Sequence, residues 1–359
     1  MFFFIKDLQI ALKNSKRLPS FDYWRSFAVF VVVIGHFGDP HLMRGSTMDL
    51  AYLMSGALVS YDMLKLMAQD PKSELSWFRF YLRRGFKILP SYWCFLALGS
   101  VWLWLYVEPF APQHLIQGSE WYQYLFFWRN YAAPPARLPF EHLWSLCVEE
   151  HCYWLLPLVL WGFKSLPKPQ QQGVWYLLTL IFLVVLLRAC CNIWEIAEWQ
   201  NYTHNRLDSF LWGVLLACLQ VYYPKQLKSW LNNAYCFWLG IFAITLVLWL
   251  QPDWDEHGAI MRTVAPMAWL AVVIGSYDFS SRYLFCLRVG AYYSYNIYLW
   301  HYLFLPWIFY HYGQTFTGFC WYLVCTLTAG FIFTTLIDQP FLKLRRFCLG
   351  SVPSKQQSL

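Results

Sequence analysis

Apolar stretches of 17 to 22 residues recur at positions 21–37, 48–64, 88–107, 143–163, 174–193, 207–223, 234–250, 259–277, 289–310 and 318–337, joined by polar links that are mostly short. A helix needs about 20 apolar residues to cross the hydrocarbon of a bilayer, and a barrel strand only about ten. Backbone facing lipid must satisfy its own hydrogen bonds, which segments of this length do as helices. The expected fold is therefore all-α: a polytopic transmembrane bundle of about ten spans, its even number returning both termini to one side. Composition agrees, with 58% hydrophobic and only 13% charged residues, where soluble domains carry roughly a quarter charged. The net charge of +7 could suggest nucleic acid. The cations fall in the links, however, where membrane topology wants them, so no nucleic-acid partner is expected. Most of the 11 cysteines sit inside apolar stretches, where they act as small apolar side chains and imply neither disulfides nor a metal.

The Lys and Arg bias sets the orientation. Of 27 such residues, 20 lie on the side of the termini and four in the opposite links (Arg44, Arg129, Arg137, Arg262). The positive-inside rule makes the termini cytoplasmic. The division expected is a cytoplasmic N-terminal segment over 1–20, holding a short interfacial helix, a membrane domain over 21–341 and a cytoplasmic tail over 342–359, with no appended soluble domain. The long outer link, 108–141, is rich in proline and aromatic residues and is expected to lie along the interface.

Charged and titratable groups inside such spans are costly, and each is a functional candidate. In the first span Arg25 and His36 are separated by ten residues of otherwise apolar helix, about 16 Å along the axis. His36 falls toward the outside. The fourth span enters from the outside through Glu141 and His142 and carries the adjacent carboxylates Glu149 and Glu150. The sixth begins with Arg206 and Asp208, and Arg206 is placed to pair with one of those carboxylates. A His, one or two carboxylates and an Arg at one depth suit proton abstraction from a hydroxyl, and equally a proton relay. A buried structural ion-pair network is the plainer reading of the same cluster. At the cytoplasmic end, Arg83, Arg84 and Lys87 precede the third span. Topology explains them, and so does a phosphate-binding patch, because guanidinium engages phosphate bidentately.

Six segments in order resemble the integral-membrane acyltransferase-3 family, over nearly the whole chain: Arg25 to His36 at its Arg-X10-His spacing, Met48-Asp49-Leu50 through Met54-Ser55-Gly56, Tyr81-Leu82-Arg83-Arg84 with Pro90, His142 through Tyr153, Arg206-Leu207-Asp208, and Tyr293 through His301. The chain departs from the family's pattern at Thr47, His151, Cys152 and the Asp338-Gln339 pair, which alters pocket shape more than chemistry. The resemblance implies O-acyl transfer from cytoplasmic acyl-CoA, acetyl-CoA being the family's commonest donor, to a hydroxyl on the outer face of a bacterial inner membrane. Arg83, Arg84 and Lys87 would then hold the nucleotide end, His36 would act as general base or acyl carrier, and Glu149 would orient its imidazole ahead of Glu150. Arg25, Arg206 and Asp208 would complete the site, without a metal. The acceptor would be a surface glycan or lipid-linked glycan, O-antigen first, as for stand-alone members of the family. The rival readings are a secondary transporter, whose sign would be Gly- or Pro-broken spans in corresponding halves and is not found, and an exporter of an acylated glycolipid without catalysis. Oligomeric state is not fixed by these residues.

Overall fold

The computed structural model describes residues 18–38, 46–70, 76–107, 120–132, 139–196, 199–250 and 254–349, and these are helical with no strand among them. The expected interfacial helix before residue 18 and the last ten residues lie outside the described residues. A helix stands at each of the ten apolar stretches: α1 (Pro19–Phe37), α2 (Ser46–Gln69), α3 (Trp77–Trp102), α5 (Leu143–Lys164), α6 (Pro169–Ile193), α7 (Leu207–Tyr222), α9 (Ala234–Trp249), α10 (Trp254–Gly275), α11 (Phe285–Tyr312) and α12 (Phe316–Phe333). Two short helices lie between them, α4 (Trp121–Leu125) and α8 (Pro224–Trp230), and a third, α13 (Gln339–Leu349), follows the last. Proline opens α1 and α6, where its missing N–H costs nothing. The side chain of Asn233 accepts from the Tyr235 and Cys236 amides at the head of α9, and Thr315 accepts from the Gly318 amide at the head of α12.

By length and apolarity alone, four described helices are able to cross a membrane, Trp77–Leu105, Pro169–Ile193, Gly258–Gly275 and Phe316–Leu349, with a fifth if α8 and α9, bent by 70°, count as one. The other long helices fall short because they carry the polar groups of interest: Asp22, Arg25 and His36 on α1, Glu149, Glu150 and His151 on α5, Arg288, Asn296 and His301 on α11.

Helices α2 and α7 make the most extensive contact of the bundle, and glycine is what lets them approach. A Cβ at Gly56 would stand 2.1 Å from the Phe210 carbonyl oxygen, and one at Gly213 2.0 Å from that of Leu53. Small residues at such crossings substitute for the hydrophobic drive that lipid does not supply. Helix α11 packs between α1 and α12, and α9 lies on α10.

The described part of the long link expected on the outside, 120–132, does not simply skirt the interface. Tyr124 and Phe127 are buried, the Tyr92 hydroxyl of α3 donates to the Tyr124 carbonyl at 2.8 Å, and the Tyr92 and Phe127 rings stack at 4.4 Å. Asn130 donates to Thr203 Oγ1 at 2.8 Å, and Tyr131 stacks on Tyr202. The link is drawn inward because these partners satisfy its polar groups away from water.

Candidate active site

The site is organised by one face of α5. His142, Ser145, Glu149 and Tyr153 follow one another by three or four residues, which places them on one stripe of the helix about 16 Å long. His142 stands at the N-terminal end of α5 and Tyr153 about three turns further in.

At the His142 end three imidazoles gather from α1, the head of α5 and α11. His36 Nδ1 lies 3.0 Å from the Val32 carbonyl oxygen and 3.1 Å from His301 Nε2. His301 Nδ1 lies 2.5 Å from the Tyr298 carbonyl oxygen, and His142 Nε2 lies 3.0 Å from that of Leu299. A carbonyl oxygen only accepts, so each nitrogen facing one carries the proton. It follows that His36 is protonated on Nδ1 and shares that proton between Val32 and His301. His301 accepts through Nε2, and the free lone pair of His36 is on Nε2. By the same argument His142 keeps its lone pair on Nδ1, a buried atom with no hydrogen-bond partner among the described residues. Tyr302 closes the cluster, stacked on His142 at 5.3 Å and edge-on to His36 at 5.0 Å, its hydroxyl donating to Glu141 at 2.8 Å. No group of three or more His, Cys, Asp or Glu among the described residues is disposed to hold a metal ion.

Below the imidazoles the Tyr298 hydroxyl donates to the His142 carbonyl at 3.0 Å and also meets Ser145 Oγ. One turn further, Glu149 Oε1 accepts from Ser55 of α2 and from Tyr153, each at 2.5 Å. The guanidinium of Arg84 sits 4.6 Å from the centroid of the Tyr153 ring, a cation–π contact. The stripe on α5 thus joins the imidazole cluster to the basic patch of α3. Arg83 is exposed beside Arg84, and Lys87 lies in electrostatic range of Asp338. Asp338 accepts from Ser91 at 2.5 Å and from Asn296 at 3.0 Å, in a π-helical turn, Thr334–Asp338, that links α12 to α13.

The residues singled out in the sequence do not all meet. The orienting place beside His36, expected for Glu149, is taken by His301, and no His36–Glu149 hydrogen bond occurs among the described residues. Glu150 is buried, points off the stripe, and leaves Oε1 without a hydrogen-bond partner. Arg206 pairs with neither member of the Glu149–Glu150 couple. It donates to Asp49 Oδ1 at 2.9 Å and to the Gln200 carbonyl at 2.7 Å. Asp208 is bound by Arg188, which also donates to the Arg262 carbonyl at 2.9 Å. Ser209 donates to Asp49 at 2.9 Å, and Arg262 stands 3.9 Å from it. Arg206 and Asp208 therefore belong to a buried ion network that ties the heads of α2 and α7 to α6 and α10. Arg25 lies apart from His36 and donates to Ser294 Oγ at 3.2 Å, pinning α1 to α11.

The sequence reading passed over His142, His301, Tyr298, Ser55 and Tyr153 as individual site residues. The signal for His301 was available: the eleventh position after Gly290 falls at the same depth as His36 once α1 and α11 run together.

An all-helical apolar bundle with imidazoles, a carboxylate and guanidinium groups strung through its interior defines a membrane-embedded enzyme-like site. Comparison with known proteins is more specific. The acyltransferase-3 family profile, described as an acyltransferase domain, matches residues 18–337, and the chain belongs to that family. It is 24% identical over 329 residues to the O-acetyltransferase OatA of Staphylococcus aureus (strain NCTC 8325 / PS 47), an alignment covering 84% of this chain and 53% of OatA, with the same figures for OatA of strain COL. A further Staphylococcus aureus (strain COL) protein, named as a putative O-acetyltransferase, is 24% identical over 365 residues, covering 92% of this chain and 58% of that protein. The chain spans little more than half the length of these curated relatives. No solved structure matches it.

Proposed function

We propose that the chain moves an acyl group, acetyl in the first instance, from cytoplasmic acyl-CoA to a hydroxyl of a surface glycan, O-antigen or another polysaccharide, at the outer face of a bacterial inner membrane. Ten spans with both termini inside are part of that reading, supported by a helix at each apolar stretch and by the charge bias.

The observation that carries it is the stripe on α5, with a lone-pair imidazole cluster at one end and a phosphate-suited basic patch at the other. His36 Nε2 takes the proton of the acceptor hydroxyl as that oxygen attacks the thioester carbonyl. The tetrahedral intermediate then collapses with cleavage of the C–S bond, and the imidazolium returns the proton to the departing CoA thiolate. His301 holds the ring in the productive tautomer and accepts from Nδ1–H, the place a carboxylate fills in a Ser-His-Asp triad. Its lone pair favours the imidazolium as the charge develops. Arg84, with Arg83 and Lys87, binds the phosphates of the donor. Glu149, fixed by Ser55 and Tyr153, sets a carboxyl group midway along the path. The buried network of Asp49, Arg206, Asp208, Arg188 and Arg262 holds the scaffold and does no chemistry. Supporting relatives are named O-acetyltransferases.

Purified protein in proteoliposomes loaded with acetyl-CoA tests the reading. Transfer of labelled acetyl to an external glycan acceptor, lost in His36→Ala, is expected. Passage of intact acetylated acceptor with no new ester formed would identify an exporter instead. Mass differences in surface glycans between cells with and without the gene then identify the acceptor.

A further inference from the structure

Helix α13 presents cations on a face where an amphipathic helix ordinarily places apolar residues. Along Gln339–Leu349, Phe341, Leu344 and Phe347 are exposed, as lipid-facing side chains are in a bundle, with Lys343 and Arg346 exposed as well. The half-buried residues are Gln339, Leu342, Arg345 and Leu349, and the last three form an i, i+3, i+7 stripe that marks the inward face. That face packs on α3. Arg345 thereby comes into electrostatic range of Arg83, Arg84 and Arg346.

Like charges brought together on a partly desolvated face repel. Asp62 lies in electrostatic range of Arg83 and Glu150 in range of Arg84, but no carboxylate among the described residues forms an ion pair with Arg345. A cluster of guanidinium groups of this kind is complementary to a phosphorylated ligand, whose oxygens take paired N–H donors. Two sources of phosphate are at hand, a nucleotide and a lipid headgroup. The apolar, lipid-facing residues of α13 lie on its other side, whereas Arg84 leads through Tyr153 and Glu149 toward the imidazoles.

We propose that α13 completes the donor site, with Arg345 closing over Arg83 and Arg84 to bind the phosphate groups at the nucleotide end of acyl-CoA. This rests on the acyl-CoA reading above and adds a binding element that the sequence assigned to a cytoplasmic tail. The π-helical turn at Thr334–Asp338, anchored by Ser91 and Asn296, sets the angle at which α13 returns to α3.

The test is direct binding to full-length protein in nanodiscs, which needs no turnover. CoA, adenosine 3′,5′-bisphosphate and pantetheine are titrated against wild type, Arg345→Ala, Arg345→Lys and Arg282→Ala, the last removing a cation expected on the same side but away from α3. Arg345→Ala should weaken CoA and the bisphosphate at least about tenfold, leaving pantetheine unchanged, and Arg345→Lys should recover part of the loss. Arg282→Ala should match wild type, and melting temperatures should agree across the set. Wild-type binding of CoA that Arg345→Ala leaves intact would overturn this inference and leave the acyl-CoA reading standing. Failure of wild type to bind CoA would remove both. Repeating the titration in zwitterionic and anionic nanodiscs separates the lipid source: if Arg345→Ala changes only retention of anionic lipid, the site belongs to headgroups and the nucleotide assignment falls.

Discussion

His36 and His301, 265 residues apart in the chain, meet with 3.1 Å between Nδ1 and Nε2. The pairing makes His301 a positioning residue for His36. His36→Ala should lower transfer at least about 100-fold, the usual worth of a general base. His301→Ala should lower kcat by at least about tenfold with the donor KM unchanged, because the wrong tautomer or ring angle then predominates. Steady-state kinetics in proteoliposomes check both, and a His301→Ala enzyme with wild-type kcat would detach this residue from the mechanism.

Glu149 and Tyr153 separate charge from packing. Glu149→Gln keeps a carbonyl oxygen for Ser55 and Tyr153 but removes the charge, which strengthens such bonds to about 1.5–3 kcal/mol. Activity should fall about tenfold or more at unchanged melting temperature. Tyr153→Phe retains the ring beneath Arg84 and should affect kcat alone. Tyr153→Leu removes the ring as well and should also raise the KM for acyl-CoA, by an amount matching a cation–π contact of about 0.5–2 kcal/mol. Identical kinetics for the Phe and Leu variants would show that Arg84 does not depend on the ring.

The ion network predicts a stability effect rather than a catalytic one. Arg206→Met leaves Asp49 short of a buried partner and should cost about 3–5 kcal/mol, whereas Arg206→Met combined with Asp49→Leu should recover only part of it, because Arg262 then loses its carboxylate. Transfer per folded molecule should stay near the wild-type value in both variants. A stable double variant without activity would return Arg206 to the catalytic group.

Much of this was legible in the sequence, for identifiable reasons. Helix positions follow from apolar run length, which in lipid admits few alternatives. Spacing along a helix was legible too, since residue count converts to distance, and His36 and Arg84 lie toward opposite ends of the α5 stripe. Azimuth was not. Which face of α5 turns to α1 depends on neighbours three helices away, so Glu149 was matched to His36 by depth although it points to Ser55. Arg206 was likewise matched to the carboxylates of α5 when Asp49, on the helix packed closest to its own, was the nearer partner. Arg345 was hidden because nothing in residues 339–349 states that the chain turns back onto α3.

The α2–α7 crossing gives a prediction independent of chemistry. Gly56→Ala and Gly213→Ala drive a methyl into backbone at 2.1 and 2.0 Å, which only separation of the helices relieves. Each should lower stability by about 1–3 kcal/mol or more, and Gly56→Ala should also reduce activity by shifting the neighbouring Ser55. Gly85→Ala, whose Cβ would meet only the Leu89 side chain at 3.5 Å, should be neutral or stabilising by up to about 1 kcal/mol. Thermal unfolding in detergent checks all three.

The central claim is that the basic patch and the imidazole cluster open to opposite sides of the membrane. In a cysteine-free variant shown to be active, single cysteines at the exposed positions Gln170 and Ser280 share the side of the basic patch, and one at exposed Gln314 shares the side of His36 and His301. An impermeant thiol reagent applied to spheroplasts should label Gln314→Cys at once, and Gln170→Cys and Ser280→Cys only after permeabilisation. Labelling of Gln170→Cys and Ser280→Cys from outside with Gln314→Cys protected would invert the bundle, place the imidazoles in the cytoplasm, and contradict transfer across the membrane.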